Sequence, residues 1–317
     1  MNYGLPYQGS KNRIAKRLVE ALSAAPVLYD VFCGGCAVTH AAMLSGEYQR
    51  FVINDRRGWL PAAFQKAIHG GSAHEDRWIS RDDFERLKST DAYAALCFSF
   101  GNDCQSYMYA KPLEPYKRAL HYAIFWRDFA PWRELCPETA DALAAGLALI
   151  EDRKQRRVQA GYFIVESLKA QLAAGMLTPD ILQKPIYRQI KDTPHRLQCL
   201  QSLESLERLQ SLESLPGALT AHSGDYREMR FDEPGIIYCD PPYKDTADKS
   251  KDYADTSFDA EAFYSWCEAQ KLSVYISEYQ MPEDRFVCIV EWDKVTRMAA
   301  KTTSHVTERL WRPRVQL

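Results

Sequence analysis

Residues 28–38 read LYDVFCGGCAV, an apolar strand pattern that turns through two glycines into a helix of small residues. Around this stretch, the sequence pattern predicts helices over 12–22 and 37–44 and strands over 27–32 and 51–53. This β-α-β succession predicts parallel strands. Glycines at such a turn allow a ligand to approach the backbone at the N-terminus of the helix.

Asp55 ends the second predicted strand, about twenty residues after Gly35, where an acidic side chain is placed to bind ribose hydroxyls. The glycine turn lacks the G-x-G-x-x-G pattern of dinucleotide sites. Alone, the turn is more often plain strand-to-helix geometry, and an Asp after a strand is more often a helix cap. Together they favour a ligand that contains adenosine.

Composition narrows the class of protein. The 317 residues are 46% hydrophobic and 26% charged, which is typical of a soluble globular protein with a main core and a second lobe. No apolar run approaches the ~20 residues that span a bilayer, and no signal-peptide core is evident, so we expect a cytoplasmic protein without a membrane partner.

Nine cysteines predict reduced thiols. Cys33 and Cys36 lack the second half of a zinc site, so we expect no metal.

The middle of the chain has a different pattern, with long helical stretches that include 113–129 and 140–167. Strand signals return later, at 218–222, 235–239, 273–276 and 286–290, with a helix predicted over 259–270. A short leucine repeat precedes them. We therefore expect a main α/β domain made of residues 1–80 and 216–317, a helical insertion over 81–196 and a helical connector over 197–215.

Residues 236–243 read IIYCDPPY, a buried type of strand that ends in Asp240. Pro241 and Pro242 cannot continue a strand ladder. A carboxylate and a proline carbonyl accept the two hydrogens of an exocyclic amine and leave its lone pair aimed at an electrophile. Tyr243 would stack on the base, which is worth about 1–3 kcal/mol and offsets much of the cost of extruding it from duplex DNA. The plainer reading is an ordinary turn after a strand.

This D-P-P-Y segment, with FCGG at residues 32–35 upstream, resembles the Dam-type family of DNA adenine methyltransferases. The order of the motifs also fits that family. The resemblance implies a Rossmann-like methyltransferase sheet that uses S-adenosylmethionine, with an inserted, mainly helical target-recognition lobe over 81–196. It implies direct transfer of a methyl group to the exocyclic amino group of a flipped adenine in duplex DNA.

The resemblance also assigns site residues. Those implied for catalysis are Asp240, Pro241, Pro242 and Tyr243. Those implied for binding S-adenosylmethionine are Tyr7, Lys11, Asp30, Phe32, Gly34, Gly35, Asp55, Asp225, Tyr226 and Asp240. Residues 277–279, SEY, resemble a later motif beside the catalytic pocket. Residues 97–103, with Tyr107 and Tyr109, resemble an aromatic segment that faces DNA, although a core strand and its turn fit them equally well.

The chain departs from the family pattern in its glycine loop. Cys36 stands where the family's F-x-G-x-G loop has its second glycine, and Val31 replaces the proline that is common before the Phe. We expect the Cys36 side chain to crowd the methyl donor.

Several functions remain open at this point. The same tetrapeptide geometry serves the amino group of cytosine, an RNA adenine or a protein glutamine, and an inactive DNA-binding relative is a further alternative. Methylation of the cytosine ring is disfavoured, because it needs a nucleophilic Cys after a Pro and Cys136 precedes Pro137 instead. The expected partner is double-stranded DNA. We expect a monomer, with a restriction endonuclease of the same system as a candidate partner.

Overall fold

The structure is a computed structural model that describes residues 2–72, 75–192, 198–242, 258–297 and 303–317. Seven strands form one sheet: β1 (Val27–Asp30), β2 (Arg50–Asp55), β3 (Ala218–Ser223), β4 (Gly235–Cys239), β5 (Ser273–Glu278), β6 (Phe286–Arg297) and β7 (Thr303–Pro313). Their order across the sheet is β3-β2-β1-β4-β5-β7-β6. The described strand pairings are parallel except those of β7, which runs antiparallel to β5 and β6.

Within the described residues the α-helices are, in chain order, α1 (Ala15–Ala21), α2 (Ala37–Ser45), α3 (Trp59–Ile68), α4 (Arg81–Leu87), α5 (Ala92–Cys97), α6 (Glu114–Trp126), α7 (Ala130–Leu135), α8 (Pro137–Ala148), α9 (Arg153–Ala173), α10 (Pro185–Asp192), α11 (Gln198–Arg208) and α12 (Ala260–Ala269). Helices α4 to α11 all come between β2 and β3 in the chain. None of the described helices is both long and apolar enough to cross a membrane.

The order of the strands reverses between β1 and β4, which pair with each other at the centre of the sheet. In open α/β sheets, ligands bind at such a reversal, beyond the carboxyl ends of the strands. This topology confirms the predicted fold class, a Rossmann-like methyltransferase sheet with inserted helices. It also explains why Asp30, which ends β1, and Asp240, which follows β4, belong to the same edge of the sheet.

The two central strands are buried on both faces, as continuous apolar runs in parallel sheets usually are. Each residue of β1 is at most 2% exposed, and each apolar residue of β4 is at most 3% exposed. Asp30 shares this burial at 1%. A carboxylic acid in such a place is costly unless it has a chemical role or a partner.

The chain divides into two compact units. The sheet unit comprises residues 1–5, 9–71 and 209–317, and the helical unit comprises residues 6–8 and 72–208. The roles predicted for the parts of the chain, catalysis for one and DNA recognition for the other, stay predictions.

Two features of the secondary structure differ from the sequence analysis. The helical stretch predicted over 140–167 is interrupted between α8 and α9, because the Asp152 side chain caps α9 by accepting a hydrogen bond from the Gln155 backbone N–H at 2.7 Å. Strand β7 was not predicted at all. Its sequence carries charged residues at both half-buried and buried positions, so it lacks the apolar alternation that marks a strand.

Candidate active site

The candidate site lies at the carboxyl ends of β1 and β4, where the backbone itself joins the two strands. The Val31 N–H donates to the Tyr238 carbonyl at 3.0 Å. Asp30 precedes this link on one strand, and Asp240 follows it on the other. Two carboxylates that are distant in sequence are thus held at one edge by hydrogen bonds of the sheet.

The glycine loop after β1 is tied to the end of β2. The Gly34 N–H donates to Asp55 Oδ2 at 2.9 Å, and the Cys33 N–H donates to the Asn54 carbonyl at 2.9 Å. The other oxygen of Asp55 accepts the Arg57 N–H at 2.9 Å. Burial raises the pKa of Asp55 although these two N–H bonds lower it. These hydrogen bonds therefore hold the glycine loop and Asp55, the predicted ribose ligand, next to each other.

Cys36 adopts a left-handed conformation, with φ of 57°, at the start of α2. Such a backbone favours glycine, which explains the glycine of the family pattern at this position. The Cys36 side chain is 0% exposed, and its Sγ lies 3.8 Å from the Gly34 carbonyl oxygen. The Cys36 side chain is therefore buried, and the expected crowding of a donor stays a prediction.

The N-terminal segment is hydrogen-bonded to the same glycine loop and to helix α2. The Leu5 N–H donates to the Gly35 carbonyl at 2.7 Å, and the Gly4 N–H donates to His40 Nδ1 at 2.8 Å. Gly4 has φ of 69°, and a Cβ added to it would lie 2.2 Å from the Gly35 carbonyl oxygen. No side chain fits at this position without moving the glycine loop.

We therefore expect Gly4→Ala to destabilise the fold more than Gly46→Ala. Gly46 has a similar φ of 72°, but a Cβ there meets no atom within 4 Å. Both changes carry the left-handed backbone cost of about 1–2 kcal/mol, and Gly4→Ala adds overpacking worth about 1–3 kcal/mol. Urea unfolding of both variants measures the difference, and equal losses would show that the loop is not closely packed against Gly4.

Asp30 has one satisfied and one unsatisfied oxygen. Thr39 Oγ1 donates to Asp30 Oδ2 at 2.6 Å, whereas Oδ1 is buried without a hydrogen-bond partner among the described residues. Burial raises the pKa of Asp30 to about 7, and the hydrogen bond from Thr39 only partly opposes this; the nearby charges of Asp240 and Asp55 raise it further. An acid poised in this way favours a cationic or hydrogen-donating ligand.

Asp30→Asn is expected to flatten the dependence of stability on pH. Because the folded pKa of about 7 exceeds the unfolded value of 3.8, the folded protein retains a proton that the unfolded chain releases. The resulting loss of stability grows as pH rises from about 4 to about 7 and is complete above that range. Without donor, the variant should unfold at higher urea than the wild type at about pH 8. An unchanged slope between about pH 4 and 7 would contradict the buried, protonated Asp30.

Lys11 is a buried cation beside two acids of the site. Its side chain is 5% exposed, and its Nζ donates to Asp240 Oδ1 at 2.7 Å. The same Nζ lies 3.9 Å from Glu308 Oε2 on β7. The structure thus places Lys11 against the predicted catalytic acid, although the resemblance assigned it to the methyl donor.

The end of β5 adds Glu278 to the acids at this edge. Burial raises the pKa of Glu278 to about 7, although a hydrogen bond from the Tyr279 N–H, which donates to Glu278 Oε1 at 2.7 Å, lowers it. On the neighbouring position, Ser277 Oγ lies 2.9 Å from Tyr238 Oη. The SEY segment is therefore beside Asp240, as its resemblance to the later motif implied.

The predicted adenine-binding pair, Asp225 and Tyr226, follows β3. Both carboxylate oxygens of Asp225 accept hydrogen bonds from the Arg227 guanidinium, at 2.8 and 2.6 Å. The hydrogen bond from Arg227 lowers the pKa of Asp225. The Tyr226 ring is 9% exposed and lies 5.3 Å from the Phe32 ring, between centroids. The two predicted aromatic residues are thus in contact, whereas Asp225 is already engaged by a cation.

The roles of Tyr7, Pro241, Pro242 and Tyr243 stay predictions. Tyr7 belongs to the helical unit, and Tyr243 lies outside the described residues. Pro241 is buried and Pro242 is exposed directly after Asp240. Among the described residues, no cluster of three or more His, Cys, Asp or Glu side chains is arranged to hold a metal.

The aromatic segment of the helical unit is divided between core and surface. Tyr107 and Tyr109 are buried at 8% and 6% exposure, whereas Phe100 is 64% exposed. A β-bridge between Ser99 and Tyr107 closes the turn. The two tyrosines therefore belong to the core, residues Phe100–Asn102 form a 3-10 helix rather than a strand, and Phe100 is the ring that faces solvent.

Sequence reasoning missed two residues at the site, Arg227 and Glu308. Arg227 could have been found, because it lies two residues after Asp225 in a turn. Glu308 could not, because its strand was not predicted and its partner Lys11 is almost the whole chain away.

The first third of the chain is similar to a known family of methyltransferases. Residues 7–118 match the family model for D12 class N6 adenine-specific DNA methyltransferases. The chain resembles the D12 methyltransferases. This match covers the residues from Tyr7 to Asp55 that are predicted to bind the donor, and it ends before the Asp240 segment. No curated protein matches the chain.

Two solved structures of the rRNA methyltransferase aviRa from Streptomyces viridochromogenes are also similar. The structure at 1.5 Å is 12% identical, with 95% of this chain and 85% of that chain covered and a TM-score of 0.32. The structure at 2.4 Å is 12% identical, with 94% and 84% covered and a TM-score of 0.31. The D12 family match, together with the order of the strands, supports a methyltransferase, and the D12 family implies S-adenosylmethionine as its methyl donor.

Proposed function

We propose that this protein transfers a methyl group from S-adenosylmethionine to the N6 amino group of a flipped adenine in duplex DNA. The observation that carries the proposal is the position of Asp240. It follows β4 at the reversal of the sheet, Lys11 binds its Oδ1 at 2.7 Å, and two prolines follow it. A carboxylate fixed in this way suits an amine that must be held still beside an electrophile.

The residues of the glycine loop fit the methyl donor. Asp30 Oδ1 is buried without a described partner at the end of β1, which suits the ammonium group of the donor's methionine part. Asp55 lies beside the loop and suits ribose hydroxyls, while Phe32 and Tyr226 provide an apolar surface for an adenine ring. When bound, S-adenosylmethionine supplies an electrophilic methyl group on a sulfonium.

The protein's own part in the reaction is positioning. Asp240 and the Pro241 carbonyl accept the two hydrogens of the exocyclic amine, so that the nitrogen lone pair faces the methyl carbon. A carbon–nitrogen bond forms while the carbon–sulfur bond breaks, and the amine then loses one proton. No covalent intermediate with the enzyme is required, and most of the rate comes from proximity and orientation. Tyr243 is proposed to stack on the flipped base.

Cytosine ring methylation gains no support from the one Cys that precedes a Pro. Cys136 is 0% exposed, and burial raises the pKa of its thiol to about 11. A buried neutral thiol is a poor nucleophile. We therefore keep an amino group as the acceptor of the methyl group.

We also propose that the helical unit recognises DNA, with the exposed Phe100 available to stack on a base. The proposed setting is the cytoplasm, with the protein acting as a monomer.

The first experiment is transfer of labelled methyl from S-adenosylmethionine to unmethylated duplex DNA, followed by nucleoside analysis. Label in N6-methyladenine supports the proposal. Label in N4-methylcytosine, in RNA or in protein glutamine, tested in parallel, would replace the adenine with that acceptor. Donor binding by calorimetry without transfer to any of them, or no donor binding, would favour an inactive DNA-binding relative.

A further inference from the structure

Glu308 is a buried acid in a strand that otherwise presents apolar residues to the core. It is 1% exposed, while Leu310 and Trp311, which follow it on β7, are 0% and 4% exposed. Burying a carboxylate costs several kcal/mol unless a cation or strong hydrogen bonds compensate for it. Packing alone therefore gives no reason for an acid at this position.

Among the described residues, Lys11 forms an ion pair with Glu308, and Lys11 also binds Asp240. Nζ lies 3.9 Å from Glu308 Oε2 and 2.7 Å from Asp240 Oδ1. Three elements that are remote in sequence, the N-terminal segment, the end of β4 and β7, therefore meet in one group of charges, of which Lys11 and Glu308 are buried and Asp240 is half-buried. A lysine held from two sides has fewer positions available than a lysine held from one side.

We propose that Glu308 is a positioning residue that, through Lys11, fixes the Asp240 carboxylate where it receives the substrate amine. This inference rests on the proposed function, because it assumes that Asp240 binds an amine. Glu308 itself need not touch the substrate. Its contribution is to restrict Lys11 Nζ, so that the ion pair with Asp240 keeps one geometry through turnover.

The charge of Glu308 also acts on a neighbouring acid. Burial raises the pKa of Glu278 to about 7, and among the nearby charges Asp240 and Glu308 raise it while Lys11 lowers it. The charged and titratable groups around Glu278 are Asp240, Lys11, Glu308, Tyr264, Tyr279 and, on the paired strand, Arg309. Removing the charge at position 308 should therefore lower the pKa of Glu278, which a purely steric role would not do.

The test compares Glu308→Gln and Glu308→Asp with the control Glu291→Gln. Glu291 is 57% exposed on the adjacent strand and binds Arg309 at 2.7 Å, so the control removes an acid and an ion pair that do not include Lys11. Because Arg309 also pairs with Glu278 across the strands, the control is compared by kcat alone. We expect Glu308→Gln to lower kcat by about 10- to 100-fold, as small misplacements of reacting groups do. The KM values for donor and DNA should stay within about twofold, and Glu308→Asp should recover part of the rate.

A second readout does not depend on activity. In Glu308→Gln, the carboxyl resonance of Glu278 should titrate at lower pH, and a crystal structure should show Lys11 Nζ displaced from Asp240. Unchanged kcat, an equal loss in Glu291→Gln, or an unmoved Lys11 would overturn the role of Glu308. If the wild type transfers no methyl to DNA, the proposed function fails by itself, and the titration and the Lys11 position still decide whether Glu308 holds the ion pair.

Discussion

Asp240→Ala is expected to lower methyl transfer by about 10³-fold or more while leaving the affinity for S-adenosylmethionine within a few-fold of wild type. The carboxylate would hold the amine only as it reacts, so its loss should fall on turnover, where orientation supplies most of the rate. Single-turnover transfer to duplex DNA measures the rate, and calorimetry measures donor binding.

Two further variants make this result interpretable. Asp240→Asn keeps the shape and one acceptor oxygen, so more of the protein should stay folded than in Asp240→Ala. Because it loses the charge that pairs with Lys11, it should still react slowly. Asp232→Ala removes an exposed acid that precedes β4 and should leave the rate unchanged. Wild-type turnover in Asp240→Ala would refute the assignment of the catalytic acid.

Lys11→Met is expected to reduce both stability and activity. It removes the cation 2.7 Å from Asp240 and 3.9 Å from Glu308, and leaves two carboxylates near each other at a buried place. Breaking a buried ion pair in this way costs about 3–5 kcal/mol. Methyl transfer should fall by about 10²-fold at a temperature where the variant is still folded, since Asp240 is no longer fixed.

The matched control is Lys16→Met on the neighbouring helix α1. Lys16 is 75% exposed and lies 3.9 Å from Glu20 one turn away, a surface pair worth at most about 0.5 kcal/mol. Urea unfolding should separate the two variants clearly. Equal stability of Lys11→Met and Lys16→Met would mean that the buried charges at the site do not depend on Lys11.

The candidate site was predictable where its residues follow strands directly. Asp30, Asp55 and Asp240 each stand at a strand end, and parallel strands bring such ends to one edge of the sheet. The burial and left-handed backbone of Cys36 were not predictable, because a non-glycine residue rarely adopts that conformation and the sequence contains no sign of it.

Local sequence determined the β-α-β start, the glycine loop and the acids at strand ends, because strand periodicity, glycine turns and prolines act over a few residues. Only the tertiary structure decided that Lys11 meets Asp240, 229 residues away, and that Glu308 lies beside both. Those contacts depend on the order of the strands and on β7, an antiparallel strand with a buried charge. Packing across the whole sheet determines both, and no local sequence pattern encodes them.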